Sequence, residues 1–415
     1  MDLTRRNFTL GVLNGALFNL ASAFIRGSSV LPAFLSQLTS SKVLIGLSSN
    51  LGAAAWFLPQ MLVAGLVGHR GRKLPLYIWM AALRSIFFAG LTISIFLFSN
   101  QKGLMLPLFF SLFTLYAVAG GIAGVPFMEI VGKTVPSQRR GSFFGMRTFF
   151  GGLLGVVGGW IVEKIMAHNS FPTNFGLIFT LAFISITIAL ILFCFVREPW
   201  LQGERKKFRE SLLKGPQIFK GDANYRRFFL VRTLLGSYLL GMPFYILYAQ
   251  KVMGGQEKLI GSYISYEMAG LILSNVIWGR LSNKGDNRYV LSLTSISGLL
   301  SPLLAITFPP SPMSFRLIFF FLGTTTSGLN IGYNNYLLEI APPEERSTYV
   351  GFMNTIVAPT VFFSALGGLI IGLSSYIFLF GLVGGLCLLS FLLSWSLRRG
   401  GVKSPHNPLD SKLGG

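Results

Sequence analysis

Apolar runs of about 20 residues or more, parted by short polar breaks, recur along the whole chain. Read as helices, they fall near 8–36, 43–67, 75–98, 105–131, 142–166, 174–196, 227–251, 259–281, 289–308, 315–340, 348–371 and 374–397. An α-helix needs roughly 20 apolar residues to cross a bilayer. The pattern therefore predicts an all-α integral membrane protein with twelve transmembrane helices. The first run exceeds the bilayer thickness, so a tilt or a protrusion is expected there. One connection is long: the basic stretch between Arg197 and Arg227, with Glu204-Arg205-Lys206-Lys207 and Gly215-Pro216. It divides the chain into an N-terminal six-helix bundle (1–196), a linker (197–226), a C-terminal six-helix bundle (227–397) and a tail (398–415).

Composition supports lipid as the solvent. The chain is 52% hydrophobic and only 12% charged, whereas a soluble surface needs roughly a quarter of its residues charged. The net charge of +21 raises the question of a nucleic-acid partner. Its distribution argues otherwise. With a cytoplasmic N-terminus, most Lys and Arg fall inside, and the outer ones are Lys42, Lys102, Lys164, Lys251, Lys258 and Arg316. Basic loops resist translocation, so this asymmetry predicts a multi-pass plasma-membrane protein with both termini cytoplasmic. No compact basic face with interleaved aromatics suggests nucleic acid.

Cys194 and Cys387 lie in apolar runs, and His69, His168 and His406 fall in loops or the tail. They form neither a disulfide framework nor a metal cluster, and no cofactor is implied. Thr4-Arg5-Arg6-Asn7-Phe8, an apolar stretch and Ala21-Ser22-Ala23 resemble a twin-arginine export signal. The many apolar runs that follow favour reading the Arg pair as an inside anchor.

The halves resemble one another. Pro136-Ser-Gln-Arg139-Arg140-Gly141-Ser-Phe-Phe-Gly145 leads into the fifth run, and Pro342-Pro343-Glu-Glu-Arg346-Ser-Thr-Tyr-Val-Gly351 leads into the eleventh. The loop Gly65-Leu-Val-Gly68-His69-Arg70-Gly71-Arg72-Lys73 has a counterpart in Gly279-Arg280-Leu-Ser-Asn283-Lys284-Gly285-Asp286-Asn287-Arg288. Internal repeats of this kind build many transporter folds. Both loops resemble the signature of the major facilitator superfamily, Gly-x-x-x-Asp-Arg-x-Gly-Arg-Arg/Lys, and Arg197-Glu198-Pro199 at the end of the sixth run is also common there. The resemblance spans essentially the whole chain. It departs at Gly68 and Asn283, which stand where the signature has Asp, and at Asp286, which stands where it has Gly.

The resemblance implies two pseudo-symmetric bundles around a central cavity lined by the first, fourth, seventh and tenth helices. It also implies a cytoplasmic gate in which Glu129 and Glu339 meet Arg70, Arg72, Lys284 and Arg288, beside the Arg140 and Arg346 loops. Plain topology signalling is the other reading of those bases, but it leaves the two matched acids unexplained.

Charge inside apolar runs carries the rest. An ionisable group near mid-bilayer costs at least about 2.5–3.5 kcal/mol and normally faces a cavity or a partner. Glu267 shares a helical stripe with Tyr263, Gly270 and Ser274, and there it can bind and release a proton. The competing reading is a carboxylate paired with an arginine that ties two helices together.

In the first run Gly11, Gly15, Asn19, Ser22, Arg26 and Ser29 share one face. They either line the cavity, with Arg26 meeting an anionic group of the substrate, or pack tightly while Arg26 snorkels. Tyr238, Gly241, Tyr245 and Tyr248 share a face near Pro243, and Asn330 and Asn334 belong to the tenth run. These are cavity candidates, the tyrosines being equally able to fill space between helices. Arg84 reads as structural and Arg232 as snorkelling. The glycines of the fifth run, Gly151 to Gly159, allow close helix approach.

No phosphate-binding loop or catalytic constellation is visible, so no enzymatic activity is expected. The expectation is a monomeric secondary transporter of a small solute in membrane lipid, coupled to protons. A non-transporting scaffold or assembly factor on the same fold is the alternative.

Overall fold

The computed structural model describes residues 3–67, 71–200, 208–285, 287–342 and 345–399. Among these, all regular structure is helical. The first half comprises α1 (Leu3–Phe24), α2 (Val30–Leu38), α3 (Lys42–Val67), α4 (Leu74–Phe98), α5 (Lys102–Thr134), α6 (Ser137–His168) and α7 (Thr173–Cys194). A linker helix follows, α8 (Phe208–Gly221). The second half comprises α9 (Ala223–Gly236), α10 (Tyr238–Gly241), α11 (Phe244–Val252), α12 (Ile260–Ser282), α13 (Asn287–Thr307), α14 (Pro312–Ile340), α15 (Arg346–Val357), α16 (Phe363–Leu373) and α17 (Tyr376–Ser394).

Helix occupies every expected span, and eight helical stretches are long and apolar enough to cross a membrane. α1, α3, α12 and α14 are not among them, and α1, α12 and α14 each carry amides, hydroxyls or charges within the helix. The outer surface is apolar. Trp79, Ile86, Ile93 and Leu97 on α4, and Ile184, Ile188 and Ile191 on α7, are exposed at spacings that form continuous stripes. Such stripes suit a lipid solvent.

Three expected spans are interrupted. The first does not simply tilt. It breaks at 25–29, where Gly27 lies so close to Ser49 O that a Cβ would stand 2.2 Å away. The short α2 that follows buries Phe34 among Phe109, Phe171, Phe175 and Phe179. The seventh span breaks at Ser237 and again before α11, where Pro243 has no N–H to bond back along the helix. The eleventh passes through a 3₁₀ turn, Ala358–Phe362, that contains Pro359. The linker, expected only as a basic connection, contains α8. That helix turns Ile218 and Phe219 onto the second half and leaves Lys214 and Lys220 exposed.

Hydrogen bonds tie the helix ends into a linker face. Asn7 Nδ2 donates to Arg197 O (3.0 Å), and Arg227 Nη1 donates to Ser396 O (3.2 Å). The opposite, far face carries the turns before α3, α5, α7, α12, α14 and α17. The halves meet chiefly through α6 on α12 and α3 on α16. Near the far face these contacts are backbone to backbone: a Cβ on Gly261 would stand 2.2 Å from Glu163 N, and one on Gly368 would stand 2.1 Å from Lys42 O. Gln37 Nε2 also donates to Glu257 Oε1 across the halves (2.6 Å). Toward the linker face, Gly145 and Gly141 of α6 have nothing within 4 Å. The bundles converge at one face and part at the other.

Candidate functional site

The site grows out of the glycine face of α6. Gly151 packs on Asn19 of α1, while Gly152, Gly155 and Gly159 receive Ile272, Met268 and Ser265 of α12. On its other side α12 sinks into α14, where Gly323 approaches Glu267 O and Gly270 approaches Phe320 O. Only absent side chains permit both approaches. Together they seat Glu267 at 2% exposure, deep between the halves.

Glu267 is fully engaged there. Its Oε1 accepts Arg26 Nε (3.0 Å) and Nη2 (2.7 Å), and its Oε2 accepts Ser28 Oγ (2.5 Å). Arg26 and Ser28 belong to the 25–29 break of the first half, so the ion pair joins the two halves. Arg26 does not snorkel to a headgroup, because a carboxylate lies within direct reach. Tyr238 sits close by, within electrostatic reach of Arg26, Glu267 and Arg232.

Below the pair, toward the linker face, lies a cavity of about 280 Å³ lined by Asn19, Arg26, Thr148, Gly152, Met268, Leu271, Asn275, Ser327, Asn330 and Ile331. It shares Thr148, Asn275 and Ile331 with a wider space of about 410 Å³ edged by Phe144, Gly145, Phe149 and Val276. Arg26 reaches the cavity with a side chain 19% exposed, while Glu267 is sealed behind it.

Of the sequence candidates, Asn19, Arg26 and Asn330 line this cavity, and Glu267 and Tyr238 lie near Arg26 without lining it. Others lie elsewhere. Tyr245 stacks on Phe380 (4.6 Å) and Tyr263 on Phe319 (5.0 Å), so both fill the interior of the second half rather than face the cavity. Ser22 turns its hydroxyl back to Phe18 O (2.9 Å), and Asn334 is exposed one turn below Asn330, donating to Asn330 O. The first-run stripe is divided: Gly11 and Gly15 pack on Phe143 and Arg147, and only Asn19 and Arg26 reach the cavity.

Arg232 does not snorkel either. It is half-buried, its guanidinium over the Tyr333 ring (4.7 Å). Arg84 is buried beside Phe18, Trp56 and Tyr116 and donates to Tyr116 Oη (3.0 Å). Arg147, overlooked in the sequence, donates to Gly11 O (2.5 Å) and Asn14 Oδ1 (3.0 Å). Its signal was the same as that of Arg84, a charge amid an apolar run. Asn275 was also missed, although it lies two helical turns from Glu267 on the same face.

At the linker face the named charge contacts stay within single halves. Glu129 pairs with Lys73 (3.3 Å), and Lys133 pairs with Glu198 (2.7 Å). The other oxygen of Glu198 accepts the N–H groups of Lys73 and Leu74 at the start of α4 (2.7 and 2.8 Å). It thereby satisfies two donors that a helix start leaves open. In the second half Glu339 accepts from Asn287 (3.0 Å), and Arg288 is buried against Tyr289 and Trp395. Arg140 caps the end of α5 through Gly132 O and Val135 O. Arg72, Lys284 and Arg346 are exposed, and Arg70 lies outside the described residues. The expectation grouped Glu129 and Glu339 with Arg70, Arg72, Lys284 and Arg288. Among the described residues Glu129 meets Lys73 instead, whose buried position in the loop aims it at α5.

Two pseudo-equivalent helical bundles, joined at one face and enclosing a polar cavity open toward the other, define a polytopic membrane protein built to present a site to one side. The chain belongs to the Major Facilitator Superfamily, a family of membrane transporters, whose model matches residues 12–358 and again 258–413. Similar solved structures include the xylose transporter XylE from E. coli in a partially occluded inward open conformation (TM-score 0.70, 14% identity, 97% of this chain and 100% of that chain). The nucleoside transporter NupG is similar at TM-score 0.62 and 16% identity, over 96% of this chain and 98% of that chain. A peptide transporter POT in complex with sulfate is similar at 0.70 and 11%, over 94% and 93%. At these identities the likeness is one of fold. No curated protein matches the chain in sequence.

Proposed function

We propose that this protein is a secondary active transporter that moves a small solute by alternating access, with protons coupled through Glu267. It works in the plasma membrane with its linker face and termini in the cytoplasm. The observation that carries the reading is the Arg26–Glu267 pair, which joins the halves above a cavity closed at the far face and open at the linker face. A rocking motion that parts α6 from α12 at Gly159 and Gly261 would expose the same pair to the other side. Buried ionisable groups between membrane helices mark such pathways, and inverted or parallel repeats around a mid-membrane site are how many transporters achieve it. At the linker face Glu129 is part-exposed beside Lys73, so this contact suits a loop that rearranges in each cycle, whereas Lys133–Glu198 is buried and braces the first half.

The test uses purified protein in sealed vesicles with an imposed pH gradient and a panel of small polar solutes. At least one solute should accumulate with the gradient, and Glu267→Gln should abolish the dependence on the gradient while leaving solute exchange measurable. Normal gradient-driven accumulation by Glu267→Gln removes the proton role. Failure of the whole panel under both gradient directions favours the scaffold reading.

A further inference from the structure

The two members of the central ion pair are not equally placed. Arg26 lines the cavity, whereas Glu267 is 2% exposed and lies outside its walls. Arg26 spends Nε and Nη2 on Glu267, and its remaining nitrogen, Nη1, takes no part in the pair. A solute entering from the linker face therefore meets the cation and not the acid. Resting on the transport reading above, we infer that the solute carries a carboxylate or phosphate group, and that this anion takes over Arg26 from Glu267 as Glu267 takes up one proton.

Three observations support the exchange. First, a buried arginine whose partner is neutralised is costly until another anion replaces it. Protonating Glu267 creates that vacancy at the cavity wall. The bond that joins the halves then runs from Arg26 to the solute instead of from Arg26 to Glu267.

Second, the interior is biased toward cations. Arg84, Arg147 and Arg232 are held by aromatic rings, hydroxyl and carbonyl oxygens rather than by carboxylates. Such a field draws an anion in and repels a cation.

Third, the other walls offer neutral hydrogen-bonding groups, Asn19, Asn275, Asn330, Ser327 and Thr148, beside Met268 and Leu271. They fit a small polar body behind one charged head.

The charges balance. One proton arrives from solution for each anion, so the loaded and empty sites carry the same net charge.

The charged and titratable surroundings of Glu267 leave Arg26 as its direct ionic partner. The 25–29 break supplies Arg26 and Ser28. α9 brings Arg232 and α10 brings Tyr238, and Tyr238 lies within electrostatic reach of Arg232 and of both members of the pair. α14 brings Arg316 toward the far face and Tyr333 toward the linker face, and α12 itself brings Tyr263 and Tyr266. α6 has no charged residue between Arg147 and Glu163, and α13 has none after Arg288.

The experiment measures the melting temperature of the purified full-length protein, titrated with acetate, with the isosteric but uncharged acetamide, and with inorganic phosphate, all at matched ionic strength. In Glu267→Gln, where Arg26 has lost its internal partner, acetate or phosphate should stabilise at a concentration at least about tenfold below that needed by the wild type at pH 8. Acetamide should have no effect, and Arg26→Gln should abolish the response. In the wild type the anion's apparent affinity should fall as pH rises, with a limiting slope of about tenfold per pH unit, the mark of one proton bound with each anion. The stronger of the acetate and phosphate arms identifies the head group.

If acetate, phosphate and acetamide act alike on Glu267→Gln, the inference is overturned, even when vesicles still show transport. If Glu267→Gln does not fold, a pH-independent anion response in the wild type overturns it equally. Anion binding with these signatures but no vesicle transport would sustain the exchange and sink the transport reading.

Discussion

The two ends of α6 have different surroundings. At Gly159 a Cβ would stand 2.3 Å from Ser265 Oγ and 2.6 Å from Gly261 O, whereas at Gly145 and Gly141 nothing lies within 4 Å. Both ends carry glycine, and only at one end does the glycine face meet the other half. Glycines at the crowded end let α12 approach backbone to backbone. Those at the open end have no partner to admit in this conformation, yet alternating access would bring one there. The Arg26–Glu267 pair lies between these ends and joins the two halves.

Breaking that pair should have the largest effect. Glu267→Ala leaves Arg26 without its carboxylate, and removal of one partner of a buried pair costs about 3–5 kcal/mol. Denaturant unfolding in detergent should show this loss. The double variant with Arg26→Ala should lose less than the sum of the singles, since the two side chains are in direct contact.

Next comes the crowded end itself. Gly261→Ala places a methyl group between Glu163 N and Gly159 O. Backbone cannot yield as a side chain does, so about 1–3 kcal/mol of overpacking is expected. The protein should relieve it by opening the far face, making a cysteine at Ser265 react faster with a polar thiol reagent. Gly145→Ala at the open end should leave unfolding within about 0.5 kcal/mol of wild type. Gly145→Leu should keep that stability but lose transport, because the open end can then no longer close. Normal transport by Gly145→Leu would end the idea that this end must close.

A smaller effect is expected at the linker face. Glu198→Gln keeps one acceptor for the start of α4 but loses the charge that holds Lys133. A loss of about 1 kcal/mol in unfolding free energy is expected.

The smallest effect concerns the far-face contact between Gln37 and Glu257. Burial pushes the Glu257 carboxyl above the usual carboxylate range, and the Gln37 amide pulls against that shift. A raised folded-state value means that the folded protein holds this proton more tightly than the unfolded chain does. Its contribution is therefore fully present below the unfolded value of about 4.3 and is lost as pH rises through the folded one. The melting temperature of Glu257→Gln should lack this part of the pH dependence seen in wild type.

Much of the architecture was legible because the bilayer imposes it. Each crossing helix must satisfy its own backbone, so a long apolar run between polar breaks is read directly as a helix. Glu267 and Arg26 were legible for a related reason, since a charge in such a run needs a cavity or a partner. What stayed hidden was which alternative applied, and here both do: Arg26 is a partner and a cavity wall at once. Tyr245 and Tyr263 look as eligible as Tyr238 by spacing. The first two are enclosed by Phe380 and Phe319, rings distant in sequence that no helical periodicity reveals. Glu198 was legible only as part of the Arg197-Glu198-Pro199 motif and Lys133 not at all, because their contact joins the linker, α5 and the start of α4.

By itself the sequence determined the solvent, the helical class, the repeat that relates the halves and the presence of charge at depth. These follow from composition and from spacing along a single helix. Only the tertiary structure decided that Arg26 meets Glu267 across the halves, that Glu267 is sealed while Arg26 faces the cavity, and that the bundles close at one face. The reason is physical: those outcomes depend on which glycine lets which helix approach, and close packing is a property of pairs of helices that one helix's pattern does not contain.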